Sequence, residues 1–354
     1  MKKYFFFAAI AAIGLASCSS DETIASQATN ASNEISFRPL MNGVTRSVDI
    51  LNADNLKSFK VTAFRIVGTT PTPYFADVTF TGPTTYTSNP KYYWPTEQVN
   101  FYAWSAHSGN TDAAEIIVTG QTKQVSGTYD ALVVTPDADA AKQADLVYAS
   151  SQGVSKAASI PLTFHHAGSR IVLKVKNTAA NLSFAVSGWK LGFMVPNGTY
   201  SGTAWSNLGT ATENNVYTNT FTAQTISPNT STANVITGAD AQIMIPQGIS
   251  PVTAYSGAAG TKPNNAYIAV KYTATNTSTS ESLATDTWAI WKLPAMTWEA
   301  GYQYNYTLDL ADGGYYETNN DEDTDLDPVL GNAFIQFASV TVTPWTESNQ
   351  TATY

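Results

Sequence analysis

Apolar and polar positions alternate with a period of two along most of this chain, in short runs separated by turn residues. Ordered structure is predicted to begin at Glu34-Ile-Ser-Phe-Arg38, followed by a turn at Asn42-Gly43. From Leu56 to Val67 both faces carry apolar groups, Phe59, Val61 and Ala63 beside Arg65 on one and Phe64 and Ile66 beside Lys60 and Thr62 on the other, which predicts a well-buried strand. The aromatic segments Tyr92 to Pro95 and Val99 to Trp104 predict a hairpin. Short strands are predicted at 116–118, 129–134 and 146–149, then stronger ones at 160–164 and 169–175, with a bulge or tight bend at His166-Ala-Gly168. Further runs lie at 183–195, 216–221, 241–245, 266–273 and 287–293. Tyr302 to Leu310 places Tyr302, Tyr304, Tyr306, Leu308 and Leu310 on one face, and Phe334 to Val342 closes the series. No helical period lasts ten residues; Pro136 to Ala144 is the best helical candidate, a turn or two long. The pattern predicts an all-β protein built of sandwiches or barrels.

The N-terminus breaks this pattern. Met1-Lys-Lys3 is basic, Tyr4 to Leu15 is apolar, and Leu15-Ala-Ser-Cys18 ends the run. Twelve apolar residues are too few to cross a bilayer, so residues 1–17 read as a signal peptide. Cleavage is expected between Ser17 and Cys18, whose thiol would accept the lipid. Each buried methylene contributes about 0.8 kcal/mol, so two or more acyl chains, palmitate among them, would hold the chain at an outer membrane without a spanning helix. Residues 18–33 are small and polar and read as a flexible tether. Cys18 is the single cysteine of 354 residues, so disulfides contribute nothing and stability must come from packed cores. About 335 mature residues suggest two domains, expected at 34–155 and 156–354. The boundary is placed in the Ser-, Ala- and Gly-rich stretch 150–159, with a position after Val175 as the alternative.

Charge narrows the function classes. A net charge of -9 argues against nucleic acid, whose phosphates demand a basic face. The three histidines are His107, His165 and His166; the last two are adjacent, so on a strand they point to opposite faces, one packing and one facing solvent. No zinc motif, phosphate loop or nucleophile elbow is present, and neither a metal nor a cofactor is expected. Asp321 to Asp327 is a dense acidic cluster, but it lacks the Gly and terminal Glu of an EF-hand loop and reads as a solvated loop. Most of the eight tryptophans sit in or beside strand runs, where they are expected to fill cores; Trp205, in a polar Gly- and Ser-rich stretch, is expected to be exposed.

Several phrases, in order, carry a resemblance. They are Asp145-Leu-Val-Tyr-Ala149, Pro161-Leu-Thr-Phe-His-His-Ala167, Ser169-Arg-Ile-Val-Leu173, Asn197-Gly-Thr-Tyr200, Ile243-Met-Ile-Pro-Gln247, Trp298-Glu-Ala-Gly-Tyr-Gln-Tyr-Asn-Tyr306 and Val340-Thr-Val-Thr-Pro-Trp345. From about Glu34 to Trp345 the chain resembles the fimbrillin-like family of type V pilins. Ser19-Ser-Asp-Glu22 is similar to the acidic signal that directs lipoproteins of such bacteria to the outer surface.

The resemblance implies two tandem transthyretin-like β-sandwich domains, and a subunit that is not an enzyme. It also implies export as a lipoprotein, removal of the N-terminal segment by an Arg-specific protease, and filling of the vacated groove by a strand from a neighbouring fimbrial subunit. Arg46, in the turn-rich Asn42-Gly-Val-Thr-Arg-Ser47, is the candidate processing site; Arg38 competes, but it abuts Pro39. The candidate donor strand is Phe334 to Val342, with Phe334, Ile335, Phe337, Val340 and Val342 as its apolar positions. Expected partners are other fimbrial subunits, the outer membrane through Cys18, and a host or bacterial surface receptor. The competing reading is a monomeric surface lipoprotein that binds glycans, which would present two or three coplanar exposed aromatics.

Overall fold

The computed structural model describes residues 33–41, 56–83, 85–108, 125–139, 143–237, 242–250, 265–312, 315–316, 327–328 and 337–344. In chain order the strands are β1 (Phe37–Met41), β2 (Ser58–Val67), β3 (Thr70–Thr81), β4 (Thr87–Ser88), β5 (Val99–Ser108), β6 (Val125–Thr128), β7 (Ala131–Val134), β8 (Ala144–Val154) and β9 (Ile160–His166). They continue as β10 (Ser169–Asn177), β11 (Leu182–Gly192), β12 (Gly198–Tyr200), β13 (Trp205–Ser206), β14 (Val216–Ile226), β15 (Thr230–Val235) and β16 (Gln242–Met244). The last are β17 (Gly248–Ile249), β18 (Tyr267–Asn276), β19 (Ser282–Lys292), β20 (Met296–Thr297), β21 (Tyr302–Asp309), β22 (Tyr315–Tyr316), β23 (Asp327–Pro328) and β24 (Phe337–Pro344). Among the described residues the only helical piece is a single 3-10 turn at Leu310–Asp312. The protein is all β, as its alternating pattern predicts.

Seven strands form the first sheet, ordered β1-β9-β8-β5-β2-β3-β4. Its alternation is clearest in β9, where Ile160, Leu162, Phe164 and His166 turn inward and Pro161, Thr163 and His165 outward. Phe59, Phe80, Phe101 and Phe164 fill the core beneath it. A five-stranded sheet, β15-β10-β21-β24 with β16 also on β10, faces a six-stranded sheet, β14-β11-β18-β19-β22-β23. Trp189, Trp291 and Tyr272 from the six-stranded sheet, Tyr306 from the five-stranded one and Trp298 from the connection before β21 fill the second core. In β11 a bulge between Val186 and Gly188 switches the inward side chains from even positions, Phe184 and Val186, to odd ones, Trp189 and Leu191.

A four-stranded sheet, β13-β12-β7-β6, ties the two halves of the chain together, with Thr199 of β12 opposite Val133 of β7. It covers a third core that includes Trp104, Leu132, Leu146, Tyr148 and Tyr200. Gly202 lies at φ +87°, and an added Cβ would fall 2.3 Å from the Tyr148 ring, so only glycine lets this loop close on the core.

Four sequence expectations change. Strand β9 belongs to the first sheet and first core, so the first packing unit runs past the 155/156 division to the bend at Ala167-Gly168. Residues 150–154 are not a linker; they continue β8. The segment 136–144 is not helical among its described residues: the Gln143 side chain donates to the Asp137 carbonyl and accepts from Ile243 N–H, bracing an irregular loop. Tyr92 to Pro95 forms no hairpin with β5, because its backbone is used by the N-terminal segment instead.

Candidate strand-addition site

Strand β1 lies at one end of the first sheet, parallel to β9, with Phe37 opposite Ile160 and Met41 opposite Phe164. The backbone upstream has a second set of partners. Ile160 N–H donates to the Ser36 carbonyl, so even-numbered residues bond toward β9. Odd-numbered residues bond the other way: Ile35 N–H donates to Tyr92, Phe37 N–H to Tyr86, and Tyr86 N–H returns to the Phe37 carbonyl, at 2.8–3.0 Å. Trp94 N–H donates to Asn33, and the Ser36 hydroxyl to the Ala158 carbonyl at 2.9 Å. Because Tyr86 directly precedes β4, the other end of the sheet, residues 33–37 close a seam between the sheet's two ends.

The side chains follow the same division. Ile35 and Phe37 are fully buried, whereas Leu40 is 40% exposed. The Phe37 ring meets Phe80, Phe101 and Phe59 edge-on, with centroids 4.7, 5.2 and 5.9 Å away. Tyr86 stacks on Phe59 and donates its hydroxyl to the Leu56 carbonyl, which keeps its polar end satisfied inside the core. Burial raises the Tyr86 pKa, so the hydroxyl stays a donor at neutral pH. At the surface, Lys91 pairs with Glu34 at 2.8 Å. By the same parity, Pro39 turns its nitrogen away from β9, so its missing N–H costs no bond of the β1–β9 ladder.

The other end of the chain presents an edge. Strand β24 runs antiparallel to β21 at the rim of the five-stranded sheet, with Val340 opposite Tyr306 and Val342 opposite Tyr304. Val340 packs on the second core, Val342 is 45% exposed, and Thr341, Thr343 and Pro344 are exposed. Phe337 begins this strand, opposite Leu308. Phe334 and Ile335 lie outside the described residues, as do Ser17, Cys18, Arg46 and residues 321–326. Arg38 is described, exposed and within β1.

The histidine pair divides as its spacing requires. His165 is exposed, while His166 is buried with Nδ1 2.9 Å from Asp145. Arg170 lies within the Asp145 field and donates to the Gln303 side chain at 2.8 Å. Burial pushes the Arg170 guanidinium down to about 10, and Asp145 works against that, so it stays charged at neutral pH. Sequence reading missed this buried cluster because Asp145, His166 and Arg170 sit on three strands, each within a separate one of the quoted phrases. Trp205 is half-buried, not exposed: its indole N–H donates to the Ala167 carbonyl at 2.8 Å and its ring packs on Tyr200. Among the described residues no three His, Cys, Asp or Glu side chains converge as a metal site requires.

A family model described as fimbrillin-like matches residues 45–345, most of the chain. The chain belongs to the fimbrillin-like family. That membership places it among fimbrial subunits at the cell surface, and not among enzymes. The chain is similar in structure to a fimbrial protein from Bacteroides vulgatus at 14% identity and TM-score 0.51, covering 89% of this chain and all of that one. It is also similar to a fimbrilin from Porphyromonas gingivalis at 11% identity and TM-score 0.42, covering 90% of this chain and 98% of that one. No curated protein matches it in sequence.

Proposed function

We propose that this fimbrillin-like chain is exported as a lipoprotein held through Cys18, is cut after Arg46, and polymerises by exchanging its first strand for a strand of the next subunit. The observation that carries this reading is the seat of residues 33–37. The segment contributes two fully buried apolar side chains, Ile35 and Phe37, and backbone bonds along both of its edges. Each such side chain stabilises by about 1.5–3 kcal/mol. Yet the segment lies N-terminal to Arg46, on the side that one cut would separate from the rest of the chain. Its departure would leave an apolar floor lined by phenylalanines between two rows of unpaired N–H and C=O groups, a template for a replacement strand.

The glycan-binding monomer draws less support. Among the residues whose side chains are described, Tyr93 is the one exposed aromatic, and a stacking platform needs two or three in one plane. The two chain halves, divided near Ala167-Gly168, would then act as one fimbrial building block, with receptor contact left to the assembled polymer.

The test is Arg-specific proteolysis of the full-length protein, followed by mass spectrometry and electron microscopy. Release of a fragment ending at Arg46, together with appearance of filaments, is the expected result. An Arg46→Ala chain that is trimmed and polymerises like the wild type would overturn the processing site. A trimmed wild-type chain that stays monomeric would overturn strand exchange.

A further inference from the structure

We propose that Met296 is a site of reversible oxidation, and that its sulfoxide releases a buried hydrogen-bond chain running through Tyr306 to Trp298. The site lies in the second half of the chain and owes nothing to strand exchange. The indole N–H of Trp298 donates to the Tyr306 hydroxyl at 2.8 Å, and that hydroxyl donates to the Met296 sulfur, also at 2.8 Å. Trp298 and Tyr306 are fully buried. Burial raises the Tyr306 pKa, so its hydroxyl keeps the proton it donates. Met296 is only half-buried, in the two-residue strand β20, and packs against the second core. The other methionines whose side chains are described, Met194 and Met244, are 0% and 1% exposed.

A thioether is a weak acceptor and a polarizable nucleophile. Tyr306 engages one of its two lone pairs and leaves the other to react. With a hydroperoxide as oxidant, that pair attacks the terminal peroxide oxygen. An S–O bond forms, the O–O bond breaks, and the departing oxygen takes up a proton and leaves as water or an alcohol. The sulfur gives up two electrons and the peroxide gains them. The product is a polar methionine sulfoxide, which a sulfoxide reductase returns to the thioether. Either placement of the new oxygen ends the bond from Tyr306. On the tyrosine side it would need space inside the 2.8 Å contact, so the Met296 side chain must withdraw. On the far side it leaves the sulfur partly positive and facing a donor hydrogen.

The neighbours of this chain of bonds brace the bend between the two halves. Met296 pairs with Ile249 of β17, and the backbone N–H of Trp298 donates to the Gln247 carbonyl at 2.9 Å. The Tyr304 hydroxyl accepts from Glu299 N–H at 2.7 Å and donates to the Thr297 carbonyl at 3.1 Å. The same segment then reaches the bend. The Ser169 hydroxyl donates to the Glu299 carbonyl at 2.9 Å, and Gly301 N–H donates to the Gly168 carbonyl at 2.8 Å. Loss of the anchor at Met296 therefore loosens one end of residues 296–301, whose other end holds Gly168 and Ser169.

Full-length protein is treated with graded hydrogen peroxide and digested for mass spectrometry, and its melting temperature is followed by near-ultraviolet circular dichroism. Met296 is expected to gain one oxygen atom well before Met194 and Met244. The melting temperature should fall by roughly 2–10 °C, the effect of losing one buried hydrogen bond, and methionine sulfoxide reductases should restore it. In Tyr306→Phe the ring remains and the donor is gone, so Met296 should still oxidise while the shift in melting temperature largely vanishes. Met296→Leu should be equally insensitive, which separates this site from Met41. Equal oxidation rates for Met194, Met244 and Met296 overturn the proposal. So does oxidation of Met296 without a shift, an undiminished shift in Tyr306→Phe or Met296→Leu, or a shift that the reductases leave in place.

Discussion

Replacing Phe37 by alanine should loosen the first strand far more than its position near the chain end suggests. The side chain is fully buried, and three neighbouring phenylalanine rings lie edge-on to it. Such truncations cost about 3–5 kcal/mol, the transfer term and the cavity term together. The cage around the cavity is stiff, because Phe80, Phe101 and Phe59 belong to three neighbouring strands of one sheet. Collapse onto the void is therefore limited, and the upper half of that range applies. Leu40→Ala, on the same strand but 40% exposed, should cost about 1 kcal/mol or less. The difference has a kinetic reading. If β1 leaves as a unit after trimming, a loss of about 4–5 kcal/mol in its seat raises its equilibrium release by roughly 1,000-fold or more. Urea unfolding of the untrimmed protein would measure the stability term. Size-exclusion chromatography of the trimmed protein against time would measure fragment release and polymer growth. The expected pattern is a less stable precursor that polymerises faster once cut. Phe37→Ala and Leu40→Ala chains that unfold alike and release the fragment alike would refute the claim that the seat is built around Phe37.

Three further outcomes follow from the rest of the molecule. Asp145→Ala leaves His166 and the charged Arg170 buried without their carboxylate, and should destabilise by about 3–5 kcal/mol in urea unfolding; a loss below 1 kcal/mol would show the cluster to be solvated. Gly202→Ala drives a Cβ into the Tyr148 ring at a left-handed φ and should lower the melting temperature by several degrees, about 1–3 kcal/mol of strain for this backbone region, whereas Gly68→Ala, which meets nothing within 4 Å, tests the φ term alone. Burial raises the pKa of Tyr148, Tyr217, Tyr272 and Tyr306, Tyr217 to about 12. The unfolded chain then loses protons near pH 10 that the folded chain keeps, so stability is full below pH 10 and falls above it, by about 1.4 kcal/mol per pH unit per tyrosine. Tyrosinate absorbance rising in step with loss of the near-ultraviolet circular dichroism would confirm this, and free titration before unfolding would contradict it.

How much of this was legible depended on whether the signal was local. Period-two alternation in β9 reports one buried and one open face, so that strand and its inward residues could be read directly; in β21 it marks the core-facing Tyr304, Tyr306 and Leu308, while Asn305 and Asp309 on the other face are buried too. The split between His165 and His166 follows from the same rule. The hairpin expected at 92–104 failed because a row of aromatic residues says that backbone is paired without saying with what, and the partner, Glu34 to Phe37, is about 60 residues away. The helical expectation at 136–144 failed because Gln143 spends its amide on the backbone of Asp137 and Ile243, a contact across 100 residues. Trp205 was misplaced for a related reason. Its flanking Gly and Ser residues signal exposure, but glycine at 202 is there to let the loop approach Tyr148.

The edges of the first sheet explain why a precursor with an exchangeable strand need not aggregate. Among the described residues, strand β3 pairs on its outer side with β4 at Phe80 and Thr81, and the rest of that side has no strand partner. Pro71 and Pro73 lie on that edge, and Asp77 sits at φ +56° beside a break in register, devices that deny an incoming chain a regular ladder. At the opposite end, β1 covers β9 and turns the nitrogen of Pro39 away from it. While residues 33–37 stay in place, the first sheet offers no long regular edge among the described residues, and the seam between its ends is closed by the bonds to Tyr86 and Tyr92. Removing that one segment changes both conditions at once. It would uncover the side of β9 that β1 occupies and open the phenylalanine-lined floor beneath it, the two features the proposed exchange needs. Under the proposed exchange, the prolines and the register break of β3 would then direct an incoming strand to the vacated seat and away from that edge.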